Sequence, residues 1–324
     1  RQRQMCIRDS CENVHIKNAI FEHVYNWHSI ELNASKTCRI HNCIFRDNAI
    51  VDAQEECIQL DFAVNSSAFP FPSGAPYDDS PCTDIEITDC TFENVAAGIG
   101  NHSQAGENTI NDIEIRGCTF NNIYAACIRT QNWDNCRITN NHMVDGYYVI
   151  YVETGNQLVT TVPQKLIISN NSIKDMNKGG ASSRGINVDS ANSTLRYTDV
   201  IISNNIVDDI GRYGIIAGNC DGAIIESNIT RNCQYSGIGF YDLINGNMSG
   251  NTAENNNLSG AGSNGDYRIW GGCSDILFTG NKGGVGFVDA TDGFVTSNKF
   301  SGAVTTTGTN NIVKNNVISN AYVA

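Results

Sequence analysis

Several residue classes are scarce in this chain of 324 residues, and each scarcity removes a class of protein. Five prolines and thirty glycines are too few for a collagen-like or disordered chain. Lys and Arg number 21 against 34 Asp and Glu, so the formal charge is −13. A surface this acidic repels nucleic acid, which we therefore exclude as a partner. No apolar run is long enough to span a bilayer.

Motifs for the common cofactors and for nucleophilic catalysis are also missing. We find no glycine-rich phosphate loop, no zinc-ligand spacing and no serine triad, so the sequence predicts no cofactor. Long stretches rich in Leu, Ala, Glu and Lys, which would favour helices, are absent. Asn, Ile and Val are abundant instead, and this composition favours strands joined by tight turns.

The first ten residues do not share the periodicity of the rest. The run from Met5 to Ser10 resembles a translated sequencing adapter, a contaminant of metagenomic gene sequences. We therefore expect residues 1–10 to be a non-native leader on a bacterial protein. The natural N-terminus, with any signal peptide, would then lie outside this sequence.

A short segment with the pattern apolar, x, apolar, x, Asn or Cys, x, apolar recurs along the chain. Its alternation of period two indicates a strand, and its spacing of mostly 17 to 34 residues fits three short strands per repeat. One column of the repeat reads Ala19, Cys43, Cys90, Cys118, Asn141, Asn171, Asn205, Asn228, Asn251, Asn281, Asn298 and Asn316.

This column is explained if successive repeats lie directly on one another as coils. Stacked strands are about 4.8 Å apart, so identical side chains meet and asparagine amides can bond along the axis. Cysteine fills the same inward slot as a small apolar residue. Although thirteen cysteines suggest disulfides at first, we therefore predict that Cys43, Cys90 and Cys118 are stacked free thiols.

A second strand follows each copy and is marked by a small residue and then Ile, as in Ser29-Ile30, Cys57-Ile58 and Gly98-Ile99. The double pattern resembles the pectin-lyase-like superfamily over residues 11 to 320. The resemblance implies an all-β fold, a right-handed parallel β-helix of roughly a dozen coils forming a single domain over 11–324. That superfamily contains lyases, glycosidases, epimerases, tailspikes and non-catalytic proteins, so the resemblance leaves the activity open.

Outward positions of this second strand carry carboxylates, arginines and aromatic rings. Such side chains suit a groove for a polysaccharide or oligosaccharide, because rings stack on sugars and charged groups bind hydroxyls. The alternative is a decorated solvent-facing surface. The predicted substrate-binding residues are Glu31, Gln59, His102, Arg129, Gln131, Trp133, Tyr151, Arg184 and Asn187.

Acidic residues of the groove are the candidates for catalysis. The segment from Glu55 to Asp61 resembles the Asp-Asp-Cys-Ile-Ala-Ile segment of polygalacturonase-type glycoside hydrolases, with Glu in place of both Asp residues. The resemblance implies catalytic roles for Glu55 and Glu56. Paired carboxylates about 5–10 Å apart serve glycoside hydrolysis. Two pairs on neighbouring coils can meet that spacing, Glu31 with Asp61 and Glu153 with Asp189.

An insertion over residues 62–82 interrupts the repeat next to Asp61. Unstructured insertions of this length are uncommon unless functional, so we predict a wall over the groove, with a simple cap on the stack as the alternative. Asp78, Asp79 and Asp84 lie in or beside it and have the chemistry for calcium, but no defined ligand spacing. We therefore predict no metal site.

These features predict a secreted or surface-attached glycoside hydrolase. The first alternative is a non-catalytic glycan-binding or adhesion module on the same scaffold. The second is a polysaccharide lyase or epimerase, for which Arg129, His102 or Tyr151 would supply the base. The sequence leaves the oligomeric state open.

Overall fold

The computed structural model describes residues 11–25, 28–48, 55–63, 79–101, 108–154, 161–178, 180–190, 195–260, 262, 264–318 and 321–323. Over these residues the chain is a stack of parallel strands that form three sheets along one axis. A single turn of 3-10 helix, Gly180–Ser182, is the helical segment within this part of the chain. None of the described helices has the length and apolar character needed to cross a bilayer.

The first sheet contains the segments that the sequence repeat identified. Its strands, in hydrogen-bonded order, are β1 (His15–Lys17), β4 (Lys36–His41), β7 (Thr83–Thr88), β9 (Ile110–Arg116), β11 (Trp133–Thr139), β14 (Gln164–Ser169), β17 (Tyr197–Ser203), β21 (Ile224–Glu226), β24 (Asn247–Ser249), β27 (Leu277–Thr279), β30 (Phe294–Thr296) and β33 (Ile312–Lys314). A short strand, β20 (Cys220–Asp221), also pairs with β17. Twelve strands in one row mean twelve coils, as the repeat predicted.

The second sheet begins just after the Asn or Cys column. Its strands are β2 (Ile20–Glu22), β5 (Ile44–Arg46), β8 (Thr91–Gly100), β10 (Thr119–Gln131), β12 (His142–Val144), β15 (Ser172–Met176), β18 (Ile206–Ile210), β22 (Ile229–Arg231), β25 (Thr252–Glu254), β28 (Lys282–Gly283), β31 (Lys299–Phe300) and β34 (Asn316–Ile318). At the C-terminal end, β35 (Ala321–Val323) pairs antiparallel with β34, which covers part of the last sheet edge.

The third sheet contains the Ile-marked strands. Its strands are β3 (Ile30–Asn33), β6 (Glu56–Asp61), the ends of β8 and β10, β13 (Tyr148–Thr154), β16 (Arg184–Ser190), β19 (Tyr213–Gly218), β23 (Ile238–Tyr241), β26 (Tyr267–Ser274), β29 (Gly286–Thr291) and β32 (Val304–Thr307). Ile30, Ile58, Ile99, Ile128 and Ile150 are register partners along this sheet. The predicted inward row of isoleucines is therefore confirmed.

The asparagine column forms a continuous hydrogen-bonded ladder inside the stack. Asn171 Nδ2 donates to Asn205 Oδ1 at 2.9 Å and to the Ile138 carbonyl at 2.9 Å. The Asn171 backbone N–H reaches the same Oδ1 at 3.0 Å. Asn171 Oδ1 in turn accepts from the side chain and backbone of Asn141, both at 3.0 Å. The same contacts continue down the column to Asn316, so each buried amide is satisfied by its neighbours.

The turn before each ladder position has left-handed backbone geometry. Asn170 and Asn204 precede Asn171 and Asn205 and have φ of 57° and 56°. Asn and Asp tolerate this region better than other residues that carry a Cβ. The abundance of Asn therefore has two causes, because one Asn makes the bend and the next enters the core.

Cysteines take the place of the amides in the second, third and fourth coils, and phenylalanines stack beside them. Cys43, Cys90 and Cys118 are each at most 1% exposed. Two residues after each of them, Phe45, Phe92 and Phe120 stack with ring centroids 4.9 and 4.7 Å apart. The cysteines that the structure describes are all free, which confirms the predicted thiol stack.

The insertion leaves the stack at a neck beside Asp61. The Ala63 N–H donates to the Ser80 carbonyl at 3.0 Å, and the Asp79 N–H donates to the Ala63 carbonyl at 3.1 Å. The insertion therefore departs and returns at one point. Residues 64–78 and the leader 1–10 lie outside the described residues, so both predictions about them stay predictions.

Replacing Asn171 by Asp should destabilise the fold by several kcal/mol at neutral pH. The substitution turns the Nδ2 donor into a carboxylate oxygen that faces the Ile138 carbonyl and Asn205 Oδ1, so a buried charge meets two acceptors. The loss should shrink in acid, because a carboxyl whose folded pKa is raised becomes neutral as the pH falls. The loss of stability is measured by thermal unfolding of Asn171→Asp and of the exposed control Asn170→Asp. Equal melting temperatures of the two variants at neutral pH would contradict the ladder.

Native-state alkylation should leave the thiol stack unlabelled. Burial raises the pKa of the Cys43 thiol, and a hydrogen bond with Cys90, together with burial, raises that of Cys118, so these two form little reactive thiolate. The hydrogen bond with Cys118 lowers the pKa of the Cys90 thiol, but Cys90 is 1% exposed and is shielded from the reagent by burial. Cys11, which is partly exposed, should be modified first. Iodoacetamide labelling followed by peptide mass analysis tests this, with the denatured protein as the fully labelled control. Rapid native labelling of Cys43, Cys90 and Cys118 would rule out the internal stack.

Candidate functional site

Outward side chains of the third sheet line up in two rows along the solenoid axis. The first row follows the aligned isoleucines and contains Glu31, Gln59, Gly100, Arg129, Tyr151 and Asn187. The second row lies two residues further on. Gln131, Glu153 and Asp189 are register partners there, as are Asn33 and Asp61 on the first two coils. The fold thus brings most of the predicted site residues onto one face.

Glu56 and Arg129 form an ion pair across the coil that lies between them. Arg129 Nη2 is 2.5 Å from Glu56 Oε1. The intervening coil offers only Ala97 and Gly100 at the matching positions. A Cβ at Gly100 would lie 2.2 Å from the Arg129 carbonyl oxygen, so this coil passes closely beneath Arg129. His28 adds a bond from its ring Nδ1 to the Glu56 carbonyl at 2.8 Å.

The acids of the second coil are less accessible than the sequence predicted. Glu56 is 0% exposed and Asp61 is 1% exposed, so the expectation that both face solvent is wrong. Strand alternation fixes the direction of a side chain, but contacts along the axis decide its exposure. Gln59 Nε2 donates to Asp61 Oδ2. Glu55 is partly exposed and immediately precedes β6.

Glu153 and Asp189 are adjacent in register and remain partly exposed. Gln131 Nε2 donates to Glu153 Oε1 at 2.5 Å, and Asn219 Nδ2 donates to Asp189 Oδ1 at 3.0 Å. Each carboxylate is thus held by an amide from a neighbouring coil. Desolvation raises the pKa of Asp189, although the Asn219 hydrogen bond opposes the rise. The pair therefore has one carboxyl biased toward its neutral form.

Tyr151 lies in the first row beside these acids. Burial, with a smaller effect from Glu153, raises the pKa of Tyr151 to about 12. The phenol is therefore a hydrogen-bond donor at neutral pH. A phenolate base at this position is disfavoured.

A pocket of about 590 Å³ opens next to Glu153 and Arg129. Its wall is largely aromatic, and the Tyr147 and Tyr148 ring centroids are 4.2 Å apart while those of Tyr148 and Tyr151 are 5.3 Å apart. The remaining lining residues are Tyr124, Ala125, Ala126 and Lys178. The sequence analysis did not identify four of the lining residues, Tyr124, Tyr147, Tyr148 and Lys178. The pair Tyr147-Tyr148 at the start of an Ile-marked strand was the available signal.

Four of the buried polar atoms that lack a hydrogen-bond partner belong to residues near this pocket and the two acids. Arg129 Nε, Gln131 Oε1, Arg184 Nε and Asn187 Nδ2 are buried and have no hydrogen-bond partner within the protein. Native proteins satisfy nearly all such atoms, so unsatisfied ones need an explanation. All four belong to the predicted substrate-binding set. A ligand rich in hydroxyls would supply both donors and acceptors for them.

Of the other predicted binding residues, Trp133 lies elsewhere and Glu31 lies far from the pocket. Trp133 is 1% exposed on β11 in the first sheet, where its Nε1 donates to Asn101 Oδ1 at 2.9 Å. The expectation that Trp133 lines the groove is therefore wrong, because β10 ends at Gln131 and the chain turns inward. Glu31 accepts from Asn33 Nδ2 at 3.1 Å on the first coil, three coils from the pocket. His102 lies outside the described residues.

The acids considered for calcium have protein partners in the structure. Asp84 Oδ1 pairs with Arg39 at 2.7 Å, and Asp79 Oδ2 accepts from Asn108 at 3.3 Å. Asp78 lies outside the described residues. Across the described ranges, no group of three or more His, Cys, Asp or Glu side chains could hold a metal ion.

The family described as "Right handed beta helix region" matches residues 108–282 and, in an overlapping second match, residues 184–324. Together the matches cover more than half of the chain and settle the handedness of the solenoid as right-handed. No curated protein sequence matches this chain.

Solved structures with the same fold are distant in sequence. A surface adhesin of Streptococcus pneumoniae superposes with a TM-score of 0.54 at 16% identity, over 95% of this chain and 60% of the adhesin. A mutant tailspike of an E. coli bacteriophage, solved with a pentasaccharide, gives 0.57 at 12% identity, over 95% of this chain and 60% of the tailspike. The A-module of a mannuronan C-5 epimerase from Azotobacter vinelandii gives 0.55 at 9%, over 97% and 84%. This chain thus spans 60% of the adhesin and the tailspike, and the likeness shows the fold alone.

Replacing Asp189 by Asn should stabilise the protein at neutral pH and have little effect in acid. The folded pKa of Asp189 is raised by desolvation, so its favourable contribution is present at low pH and is lost as the pH rises through that pKa. A neutral amide avoids the penalty and can still accept from Asn219. Melting curves from pH 3 to pH 8 of wild type, Asp189→Asn and the exposed control Asp199→Asn measure the difference. A variant that melts below wild type at neutral pH would show that the carboxylate is stabilising instead.

Proposed function

This chain belongs to the right-handed β-helix family, and on that scaffold we propose that it hydrolyses an extracellular polysaccharide or oligosaccharide. One observation carries the proposal. Glu153 lines a tyrosine-walled pocket, and Asp189 is its register partner on the next coil. Four buried polar atoms without a partner belong to residues of these same coils. Paired carboxyls are what glycoside hydrolysis needs, and aromatic walls suit the apolar faces of sugar rings.

Asp189 is assigned as the general acid. Its raised pKa keeps more of it protonated than an ordinary aspartate, and a neutral carboxyl can donate a proton to the leaving oxygen. Glu153 is assigned as the partner carboxylate, oriented by the bond from Gln131. Register partners on adjacent coils are about 4.8 Å apart at the backbone. With side-chain reach, this spacing allows both the retaining and the inverting arrangement.

The proposed reaction breaks the bond between the anomeric carbon and the glycosidic oxygen. Asp189 gives its proton to that oxygen, and the leaving sugar departs with a new hydroxyl. Glu153 either bonds to the anomeric carbon, to be displaced later by water, or takes a proton from the water that attacks. Water ends as a hydroxyl on the anomeric carbon, and its second proton returns the two carboxyls to their starting state.

Neighbouring side chains are assigned to substrate binding. Arg129, Tyr151, Arg184 and Asn187 occupy the first row and the positions beside it, and each can donate to a hydroxyl. Tyr124, Tyr147 and Tyr148 provide the apolar wall of the pocket. The resemblance in fold to a surface adhesin and to a tailspike solved with a pentasaccharide supports a glycan at the cell exterior as the partner.

The acids of the second coil are retained as a second candidate centre. Glu56 lies in the segment that resembles the polygalacturonase-type hydrolases, with Asp61 at its end and Glu55 at its start. Glu56 is bonded to Arg129, which also lines the pocket. Its burial favours a role in positioning Arg129 over direct contact with a sugar.

Two alternatives differ in the products they form. A non-catalytic binding module is favoured by the same pocket, because tyrosines and unpaired donors bind sugars without chemistry. A lyase or epimerase needs a base for the C5 proton of a uronic acid. The raised pKa of Tyr151 disfavours it as that base. New reducing ends without ultraviolet absorbance identify hydrolysis, new unsaturated ends identify a lyase, and binding without products identifies a module.

Removing either carboxylate of the proposed pair should lower turnover by about a hundredfold or more, the size expected for a general acid or base. The variants are Glu153→Gln and Asp189→Asn, assayed on a glycan found by array screening and scored by reducing ends. Glu56→Gln and Asp61→Asn test the second centre in the same assay. Glu226→Gln, which removes an exposed acid from the first sheet, is the matched control.

The pattern across these variants distinguishes the possibilities. A large loss in Glu153→Gln and Asp189→Asn, with smaller losses on the second coil, supports the proposed assignment. Near-wild-type turnover in all four variants would exclude this face of the third sheet as the active site. If the protein turns over no glycan but these variants lose glycan binding, the chain is a binding module.

A further inference from the structure

Four aromatic side chains lie together beyond Asp189, three on the third sheet and one in the turn before β23. We call them the aromatic platform: Tyr213, Tyr235, Tyr241 and Trp270. The Tyr241 and Trp270 ring centroids are 5.5 Å apart, and those of Tyr213 and Trp270 are 6.0 Å apart with planes inclined by 27°. Tyr235 joins Tyr213 at 5.6 Å. All four remain partly exposed, so the cluster is a surface feature.

Glycines beneath the platform let the rings approach the sheet. A Cβ at Gly239 would lie 2.7 Å from Trp270 Cζ3, and one at Gly271 would lie 2.8 Å from Tyr241 Cε2. Real Cβ atoms do not approach that closely, so these two rings occupy the space of absent side chains. A ring laid against the backbone turns its remaining surface away from the sheet, where the Arg268 guanidinium lies over the Trp270 ring. This arrangement suits stacking on the apolar face of a sugar.

The platform is continuous with the proposed catalytic pair. Asp189, Gly218, Tyr241 and Trp270 are successive register partners on four adjacent coils. A Cβ added to Gly218 would lie 3.2 Å from Asp189 Oδ1 and 3.1 Å from Tyr241 Cδ1. No side chain therefore separates the acid from the first ring. A chain of sugars placed along the axis would pass from one to the other.

Two arginines flank the platform. Arg212 Cζ is 4.9 Å from the Tyr213 ring centroid and 5.7 Å from that of Tyr235. Arg268 Cζ is 4.5 Å from the Trp270 ring centroid and donates to Asn264 at 2.7 Å. Neither arginine forms an ion pair within the described part of the chain. Ring contact holds each guanidinium in place, and its remaining N–H groups can donate to hydroxyls or carboxylates.

We propose that the aromatic platform is a second sugar-binding subsite, which holds the pyranose rings of an oligosaccharide that extends along the axis from Asp189. The inference rests on the proposed function, since it identifies the ligand as a chain of several sugars. Each coil step is about 4.8 Å, similar to the advance of one sugar unit in an extended chain. The platform, one to three coils beyond Asp189, therefore takes the sugars next to the bond that is cleaved.

Trp270 provides a direct probe of binding. Of the tryptophans that the structure describes, Trp133 is 1% exposed and Trp270 is partly exposed. The Asp189→Asn protein is used so that the ligand is not consumed. It is titrated with five hexasaccharides: cellohexaose, xylohexaose, mannohexaose, hexagalacturonate and hexamannuronate. At least one of them should quench or shift tryptophan emission, and the change should be absent in the Asp189→Asn protein that also carries Trp270→Phe.

Affinities measured by calorimetry complete the test. Trp270→Ala and Tyr241→Ala should each weaken binding of that hexasaccharide tenfold or more, equivalent to about 1.4 kcal/mol. Tyr25→Ala, which removes a 58% exposed ring on the first coil, should bind as the parent does. Circular dichroism confirms that each variant is folded. If no hexasaccharide of the panel binds, or if Trp270→Ala and Tyr241→Ala bind as tightly as the parent, the platform is not a sugar subsite.

The two proposals can fail separately. A hexasaccharide that binds through Trp270 but is never cleaved by the wild-type protein would retain the platform and overturn the hydrolase. Cleavage by the wild type with unchanged affinity in Trp270→Ala and Tyr241→Ala would retain the hydrolase and overturn the platform.

Discussion

The interaction on which the rest of the structure depends is the hydrogen-bonded ladder of buried asparagines. From Asn141 to Asn316, each side chain accepts from the amide and the backbone N–H of one neighbour and donates to the next. An unpaired buried amide is destabilising, so each coil from Asn141 onward is held in one register with the coils beside it. A slip of one residue would break two bonds in each coil, and for this reason the stack has a single alignment.

That alignment turns the outer face of the third sheet into a linear array. Side chains that are 22 to 41 residues apart in sequence, such as Gln131, Glu153 and Asp189, become neighbours separated by one coil step. Positions without large side chains are equally important for the shape of this face. Gly100 and Gly218 leave space in which Arg129 reaches Glu56 and Tyr241 approaches Asp189. The pocket and the aromatic platform are both consequences of small residues beside large ones.

The stability of the stack also permits polar atoms that are not satisfied within the protein. Arg129 Nε, Arg184 Nε and Asn187 Nδ2 are buried without partners near the proposed acids. Desolvation raises the pKa of Asp189 in the same region. Such features are unfavourable for folding and useful for binding and catalysis. Their presence beside the proposed acids, on a scaffold whose interior asparagine column is paired, supports the proposed site.

The sequence by itself determined the repeat, the inward Asn and Cys column, the free thiols and the identity of the outward rows, because a periodic pattern records direction in a strand. It could not determine which of these side chains are exposed or which residues they contact. Asp61 points outward yet is buried, and Glu56 is buried against Arg129. Trp133 enters the core two residues after the row ends, and Tyr147 and Tyr148 line a pocket that the sequence analysis did not predict. Those outcomes depend on contacts between side chains on different coils. Only the tertiary structure sets those contacts, since they depend on loop lengths between coils and on which neighbours are glycine.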